Sequence, residues 1–347
     1  MRLRHRFVWR SRFTYSAALS LLFICARGSS EPQAPSHLLV EDRIDPVGVG
    51  DPRPEFSWVA GDSTPNAVQS AYQILVASSE EKLNRDDADL WDSGHVRNSS
   101  VAYISYAGRP LHSRDRAYWK VRTANATGAW GPWSKPARFE LGLLRDEDWK
   151  EARWIWAPNP GPEKQYFYFR KVVDVPDSEI RRARVYVSSV HHHLLHVDDQ
   201  LFGKGQSHEN PEYQYYQTFD VTHYLKRGSK QVFAARCHWF GGGQGRPASQ
   251  PGFLFKAVVD FVDGSSMTVG SDGTWKSRRT EWLVQESERR RGLPGDRVGG
   301  IPAEYIDARL HPESWNLATY DDSEWKDVRI IGPQPTAPWT GPLIAQE

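Results

Sequence analysis

The chain has 347 residues, a quarter of them charged, and a formal net charge of +1 at pH 7. That length suits two or three domains, and the balance of charge leaves no basic footprint for nucleic acid. Two cysteines, Cys25 and Cys237, are too few for a disulfide framework.

The N-terminus, residues 1–28, reads as a secretory signal peptide. MRLRHRFVWRSRF is basic, YSAALSLLFICA is apolar, and ARGSS offers small residues for cleavage. The apolar run is about half the length that a membrane-spanning helix needs. A lipoprotein cleavage site would want a small residue where Ile24 precedes Cys25. Residues 1–28 carry six arginines and no acid, so their removal leaves 38 basic and 43 acidic side chains, a net charge of −5. Only Cys237 then remains. An exported chain without disulfides relies on its cores, to which 15 Trp, 14 Tyr and 14 Phe contribute.

Residues 29–37, SSEPQAPSH, read as a linker. From Leu38 to Leu144 about seven short strands follow at sandwich-like spacing. They fall at Leu38 to Glu41, Glu55 to Val59, Tyr72 to Ala77, Trp91, Val101 to Ile104, Tyr118 to Thr123 and Arg138 to Leu141. Asn98-Ser-Ser and Asn125-Ala-Thr match glycosylation sequons and are expected on surface loops, idle in a bacterial source.

Residues 145–335 form a second unit, and the Pro-rich residues 336–347 a linker or tail. The edges of the unit echo each other, DEDWKEARWI (146–155) and DSEWKDVRII (322–331). Each reads as a short helical turn that packs its Trp under a sandwich before a strand begins. Between them YFYFRKVVDV, RARVYVSS, HHHLLHV and YQTFDVT alternate with period 2. Such strands must be covered on one face, which predicts a β-sandwich with Phe219 and Val221 in its interior. Asp263-Gly264 and Asp272-Gly273 are expected hairpin turns. No long amphipathic helix is predicted anywhere.

The run RKVVDVP, RARVYVSS, a hairpin and YQTFDVTHYLKRG resembles the N-terminal jelly-roll module of bacterial α-L-rhamnosidases, glycoside hydrolase family 78. EYIDARLHPESWNLATYDDSEWKDV resembles the segment that closes it. Upstream, RPEFSWVAG, AYQILVASS, DLWDSGHV, YWKVRTAN and ARFELGLL resemble the preceding fibronectin-type domain. The resemblance covers about residues 38–347. It implies an all-β fold of tandem sandwiches, a fibronectin type III/Ig-like domain (38–144) and then a jelly-roll, carbohydrate-binding-module-like domain (145–335). In the family the catalytic acids come from a helical (α/α)6 barrel that follows such a front region, in cis or here from a split gene.

Three constellations carry candidate chemistry. Of the histidines 191–193 and 196, His191 and His193 share one strand face, so the four cannot converge on a metal from one regular strand. Asp198-Asp199 suits a tight turn, and some family sandwiches hold rhamnose through calcium at such a loop, which makes both acids calcium candidates. The loop HWFGGGQGRPASQPG (238–252) brings Trp239, Gln244, Arg246 and Gln250 to one rim, an aromatic face with planar polar groups suited to sugar; a plain long loop is the alternative. If turn and loop face the same end of the sandwich, weak calcium-dependent L-rhamnose binding is expected. At opposite ends it is not. Glu286-Ser287-Glu288 beside Arg289–Arg291 reads as a solvated charge run, and no carboxylate pair suited to glycoside cleavage is evident.

Together with the signal-like N-terminus, the resemblance implies the exported, non-catalytic N-terminal region of an α-L-rhamnosidase, serving spacing, stabilisation or weak contact with carbohydrate. One alternative is the front of an inverting enzyme acting on rhamnose-capped glycans. Another is a structural module without sugar affinity.

Overall fold

A computed structural model describes residues 32–346 apart from 62–66, 160–164, 208–211, 240, 242–249 and 286–303. Two β-sandwiches follow one another. The first is built from β1 (Gln33–Val40), β2 (Val47–Val49), β3 (Glu55–Gly61), β4 (Ala71–Ala77), β5 (Trp91–Asp92), β6 (Ile104–Ser105), β7 (Arg116–Ala124) and β8 (Ala137–Leu141). A three-stranded sheet, β1-β3-β6, faces a five-stranded sheet, β2-β8-β7-β4-β5. Alternate residues point inward, so Phe56 and Trp119 meet with ring centroids 4.6 Å apart at the centre of an Ig-like core. The one α-helix among the described residues, α1 (Glu80–Asn84), is five residues long and capped by the Ser79 hydroxyl.

Two expectations change here. The stretch 29–37 is not all linker, because residues from Gln33 onward pair with β3 along the sheet edge, where Pro35 withholds no needed donor. Of the two sequons, Asn98 is exposed but Asn125 is buried. The Asn125 Oδ1 accepts hydrogen bonds from the backbone N–H groups of Thr127 and Ala129, so this side chain shapes a turn from within.

The second sandwich contains β9 (Trp154–Trp156), β10 (Gln165–Asp174), β11 (Ile180–Ser189), β12 (His191–Val197), β13 (Gln200–Ser207), β14 (Gln214–Asp220), β15 (Lys230–Trp239), β16 (Phe253–Phe261), β17 (Ser266–Gly270) and β18 (Lys276–Arg279). It continues with β19 (Leu283–Gln285), β20 (Glu304–Ile306), β21 (Lys326–Asp327), β22 (Arg329–Gly332) and β23 (Leu343–Ala345). One sheet runs β13-β12-β15-β10-β18-β21, the other β22-β9-β16-β11-β14-β23 with β17 beside β16. Phe169, Val185, Val187, Ala235, Phe255 and Trp275 fill the space between them. The two echoed segments bury Trp149 and Trp325, and the strands that follow them meet, β9 pairing antiparallel with β22. The module is thus closed by its own two ends.

Three details differ from the sequence reading. Asp272-Gly273 is a crossing between sheets, not a hairpin, because β17 pairs with β16 whereas β18 pairs with β10. The Asp272 carboxylate accepts from the Thr274 N–H, and Trp275 enters the core, donating its indole N–H to the Gly270 carbonyl. Val221 is fully buried, but Phe219 is only partly so. β23 covers β14 only at Gln214, Tyr215 and Tyr216, so Phe219 lies on the open stretch of that edge and packs over Gly203 instead. The Pro-rich tail belongs to the sandwich. Trp339 is buried against Trp154, ring centroids 4.3 Å apart, and β23 extends the sheet.

The two sandwiches are clamped together. Glu140 of β8 is buried and accepts hydrogen bonds from Arg116 and from Arg184 of β11, at 3.0 and 2.9 Å. Arg182 lies 3.4 Å from Glu140 and 2.7 Å from Asp260, which Arg114 of the first module also reaches at 2.7 Å. Burial opposes ionisation of Asp260, but hydrogen bonds from Arg114 and Arg182 outweigh it and hold the carboxyl below its usual range. Beside this cluster the Tyr216 hydroxyl accepts from the Leu143 N–H and donates to the Leu143 carbonyl. Gly48 has φ +81°, and a Cβ there would stand 2.3 Å from Thr218 of β14. Both its backbone and the close approach of the second module require glycine.

Candidate functional site

Asp198 and Asp199 turn the chain from β12 into β13. Asp198 has φ +48°, which Asp tolerates. Both its carboxylate oxygens are occupied, Oδ1 by the Val232 N–H and Oδ2 by the Gln231 amide, each at 2.7 Å. Its carbonyl accepts from the Asn316 side chain at 3.0 Å. Asp199 is exposed and receives the neighbouring Gln200 amide. Among the described residues no three His, Cys, Asp or Glu side chains come together as metal ligands. The Asp198 carboxylate works as a bracket for the end of β15.

Trp239 stands at the other end of β15. It lies seven residues from Val232, about 23 Å at the rise of a strand. Trp239, where the 238–252 loop begins, therefore lies at the opposite end of β15 from the turn, and residues 240 and 242–249 of that loop lie outside the described residues. Trp239 is half-buried and packs against two apolar clusters, while Gln250 donates to the Ala337 carbonyl at 3.2 Å. Gln244 and Arg246 lie outside the described residues, as does the Glu286–Arg291 run.

The histidines divide as their strand alternation predicts. His191 and His193 face inward and are buried, and His192 and His196 face outward. The His193 ring lies against Gly205 and bonds the Ser189 hydroxyl at 2.8 Å, and burial pushes its pKa down to about 4. On the outer face His238 stacks on Tyr166, centroids 3.6 Å apart.

Sequence reasoning missed a groove on that outer face. Cα partners align Arg278, Tyr168, Arg236, Leu194 and Lys204 across five strands, with His196 one row along. The segment that follows β20 folds back over part of this surface. Buried Arg170 holds it, through an ion pair with Asp322 and a 2.8 Å bond to the Leu317 carbonyl. Trp315 packs on Tyr168, centroids 4.3 Å apart, and on Trp325. Between this segment and Leu201 remains a groove of about 250 Å³, floored by Tyr168, Leu194, His196 and Arg236 and walled by His311, Ser314, Trp315 and Asn316. Burial first, and then the charge of Arg236, bring His196 down to about 4, so the ring is neutral at pH 7. Its Nδ1 accepts from the Asn316 amide at 3.3 Å, which leaves the ring proton on Nε2. Only the spacing of β10 and β15 residues hinted at this floor. Its wall, His311 to Asn316, comes from a segment far along the chain from every floor residue.

Fold and surface together define a tandem of two β-domains, an Ig-like sandwich locked to a larger jelly-roll-like one. Residues 35–145 match the family model described as the Rha78A-like, N-terminal immunoglobulin domain, and residues 178–341 match that of the alpha-L-rhamnosidase N-terminal domain. An alpha-L-rhamnosidase of Formosa agariphila is 30% identical over 94% of this chain and 36% of its own length. One of Streptomyces avermitilis is 27% identical over 85% of this chain and 27% of its own. The solved alpha-L-rhamnosidase of Dictyoglumus thermophilum superposes with a TM-score of 0.77 at 27% identity, covering 90% of this chain and 35% of that one. The Aspergillus terreus enzyme shares the fold, with a TM-score of 0.69 at 23% identity. The chain is an N-terminal region of the family 78 α-L-rhamnosidases. It spans about a third of the length of these relatives. No helix among the described residues is long and apolar enough to cross a membrane.

Proposed function

We propose that this chain is the non-catalytic front of an exported α-L-rhamnosidase, a rigid spacer that contacts carbohydrate through its second sandwich. The observation that carries the reading is the pairing of the two family modules, in family order, across the buried Glu140 and Asp260 clamp. A clamp of that kind fixes the angle between modules, which is what a spacer requires. Hydrolysis of α-L-rhamnosides needs an acid and a base or nucleophile held at a defined separation across the scissile bond. In this reading those groups belong to a separate helical domain, and the basic-apolar residues 1–28 direct export.

The test is the purified chain with an aryl α-L-rhamnoside. The expected result is no turnover above a heat-killed control. Turnover abolished by changing one carboxylate of this chain would overturn the reading. Export is checked by N-terminal sequencing of secreted protein, which should begin near Ser29.

A further inference from the structure

The groove on the outer face of the six-stranded sheet has a charge that is unbalanced among the described residues. Arg236 stands half-buried in its floor, with the guanidinium 5.3 Å from the Trp282 ring and no carboxylate partner among the described residues. Among the described residues, the other charged groups nearby are committed or exposed. Arg278 approaches Glu281 at 3.7 Å, Arg170 is paired with Asp322, Lys204 and Glu313 face solvent, and the Asp198 carboxylate is turned to Gln231 and Val232. A guanidinium is a planar fork of donors that matches a carboxylate bidentately. Around it stand the features of a sugar subsite. Trp315 and Leu201 supply apolar walls, and His196, Ser314 and Asn316 supply polar atoms. The cavity, about 250 Å³, falls below the range of about 300–1,000 Å³ typical of drug-sized ligands, and suits one sugar ring rather than a chain.

We propose that this groove binds a single acidic sugar residue, a uronide, with its carboxylate on Arg236 and its ring between Leu201 and the Trp315 wall. The groove is pre-formed, since Arg170, Asn316 and the Trp315–Trp325 stack fix its wall. The proposal rests on reading the second sandwich as a carbohydrate-contacting accessory. It assigns that contact to the outer sheet face instead of the 238–252 rim.

The experiment is titration calorimetry of the purified chain with methyl α-D-galacturonide, methyl α-D-glucuronide, methyl α-L-rhamnoside and sodium sulfate. Two variants run in parallel. Arg236→Ala removes the fork, and Leu201→Trp fills the groove from a position that is 58% exposed and so leaves the core intact. The expected result is binding of at least one uronide, weakened about tenfold or more in each variant, with sulfate much weaker. Uronide binding unchanged in both variants overturns the proposal. So does sulfate binding as tightly as the uronides, which would make Arg236 a general anion site. Rhamnoside binding without uronide binding overturns it and leaves the accessory reading standing. Binding of no saccharide overturns both the groove and the carbohydrate contact.

Discussion

Arginine serves this protein in two opposite ways. At the module interface Arg114, Arg116, Arg182 and Arg184 converge on Glu140 and Asp260, and Asp220 adds a further partner for Arg184. Every guanidinium there has a carboxylate within 3.0 Å. In the groove Arg236 has an aromatic neighbour and no carboxylate among the described residues. The matched cluster stabilises one arrangement of two modules, because breaking a buried ion network leaves uncompensated charge. The unmatched arginine adds little to the fold and keeps its donors for something else. Burial alone does not separate a structural charge from a binding one. The presence of its partner does.

The largest effect should come from breaking the matched side. Glu140→Gln leaves Arg116 and Arg184 facing a neutral amide at a site that is 2% exposed. Removing one partner from a buried ion network typically costs about 3–5 kcal/mol. Urea unfolding should show that loss. A change below about 1 kcal/mol would mean that water replaces the carboxylate and that the modules are held mainly by apolar contact.

Acid should weaken the second sandwich next. Burial lowers His193 from 6.5 to about 4, so between those values the unfolded chain takes up a proton that the folded chain refuses. Its contribution is fully present above pH 6.5 and is lost as pH falls to about 4, amounting to about 3 kcal/mol. The half-buried His196 acts in the same direction. Unfolding free energies measured at pH 7, 5.5 and 4.5 should fall in that order, and a flat profile would mean that the rings protonate in place.

Asp198→Asn tests the bracket. Asn accepts the same backbone angle, and one oxygen remains for the Val232 N–H. The Gln231 oxygen is held by the Lys226 N–H at 2.6 Å, so its amide cannot turn, and two NH2 groups would face each other. The expected cost is about 1 kcal/mol, read as a lowered urea midpoint. An unchanged midpoint would free Asp198 for another role.

The smallest effect belongs to the unmatched side. Arg236→Ala should shift stability by no more than about 0.5 kcal/mol. A loss comparable with that of Glu140→Gln would show that Arg236 is structural after all and would erase the contrast.

Sequence by itself determined the two sandwiches, because period-2 alternation obliges each strand to bury one face. It also pointed to Trp149 and Trp325 as buried rings, since both sit in echoed segments whose aromatic side chains had to be covered. It put His191 and His193 on one strand face and His192 and His196 on the other, as the burial pattern shows. It did not reach the edges. Gln33 to His37 looked like linker because the sheet rim tolerates polar residues and proline, and the tail around Trp339 looked loose because its partner, Trp154, lies far back in the chain. Only the tertiary structure decided the functional surface. Alternation assigns a residue to a face, but it does not say what lies over that face. Arg170 and Arg236 both point outward from neighbouring strands, two residues apart in register, and alternation alone does not distinguish them. The segment that folds back brings Asp322 to Arg170 and no carboxylate to Arg236. That long-range placement makes one of them an anchor and leaves the other open in the groove.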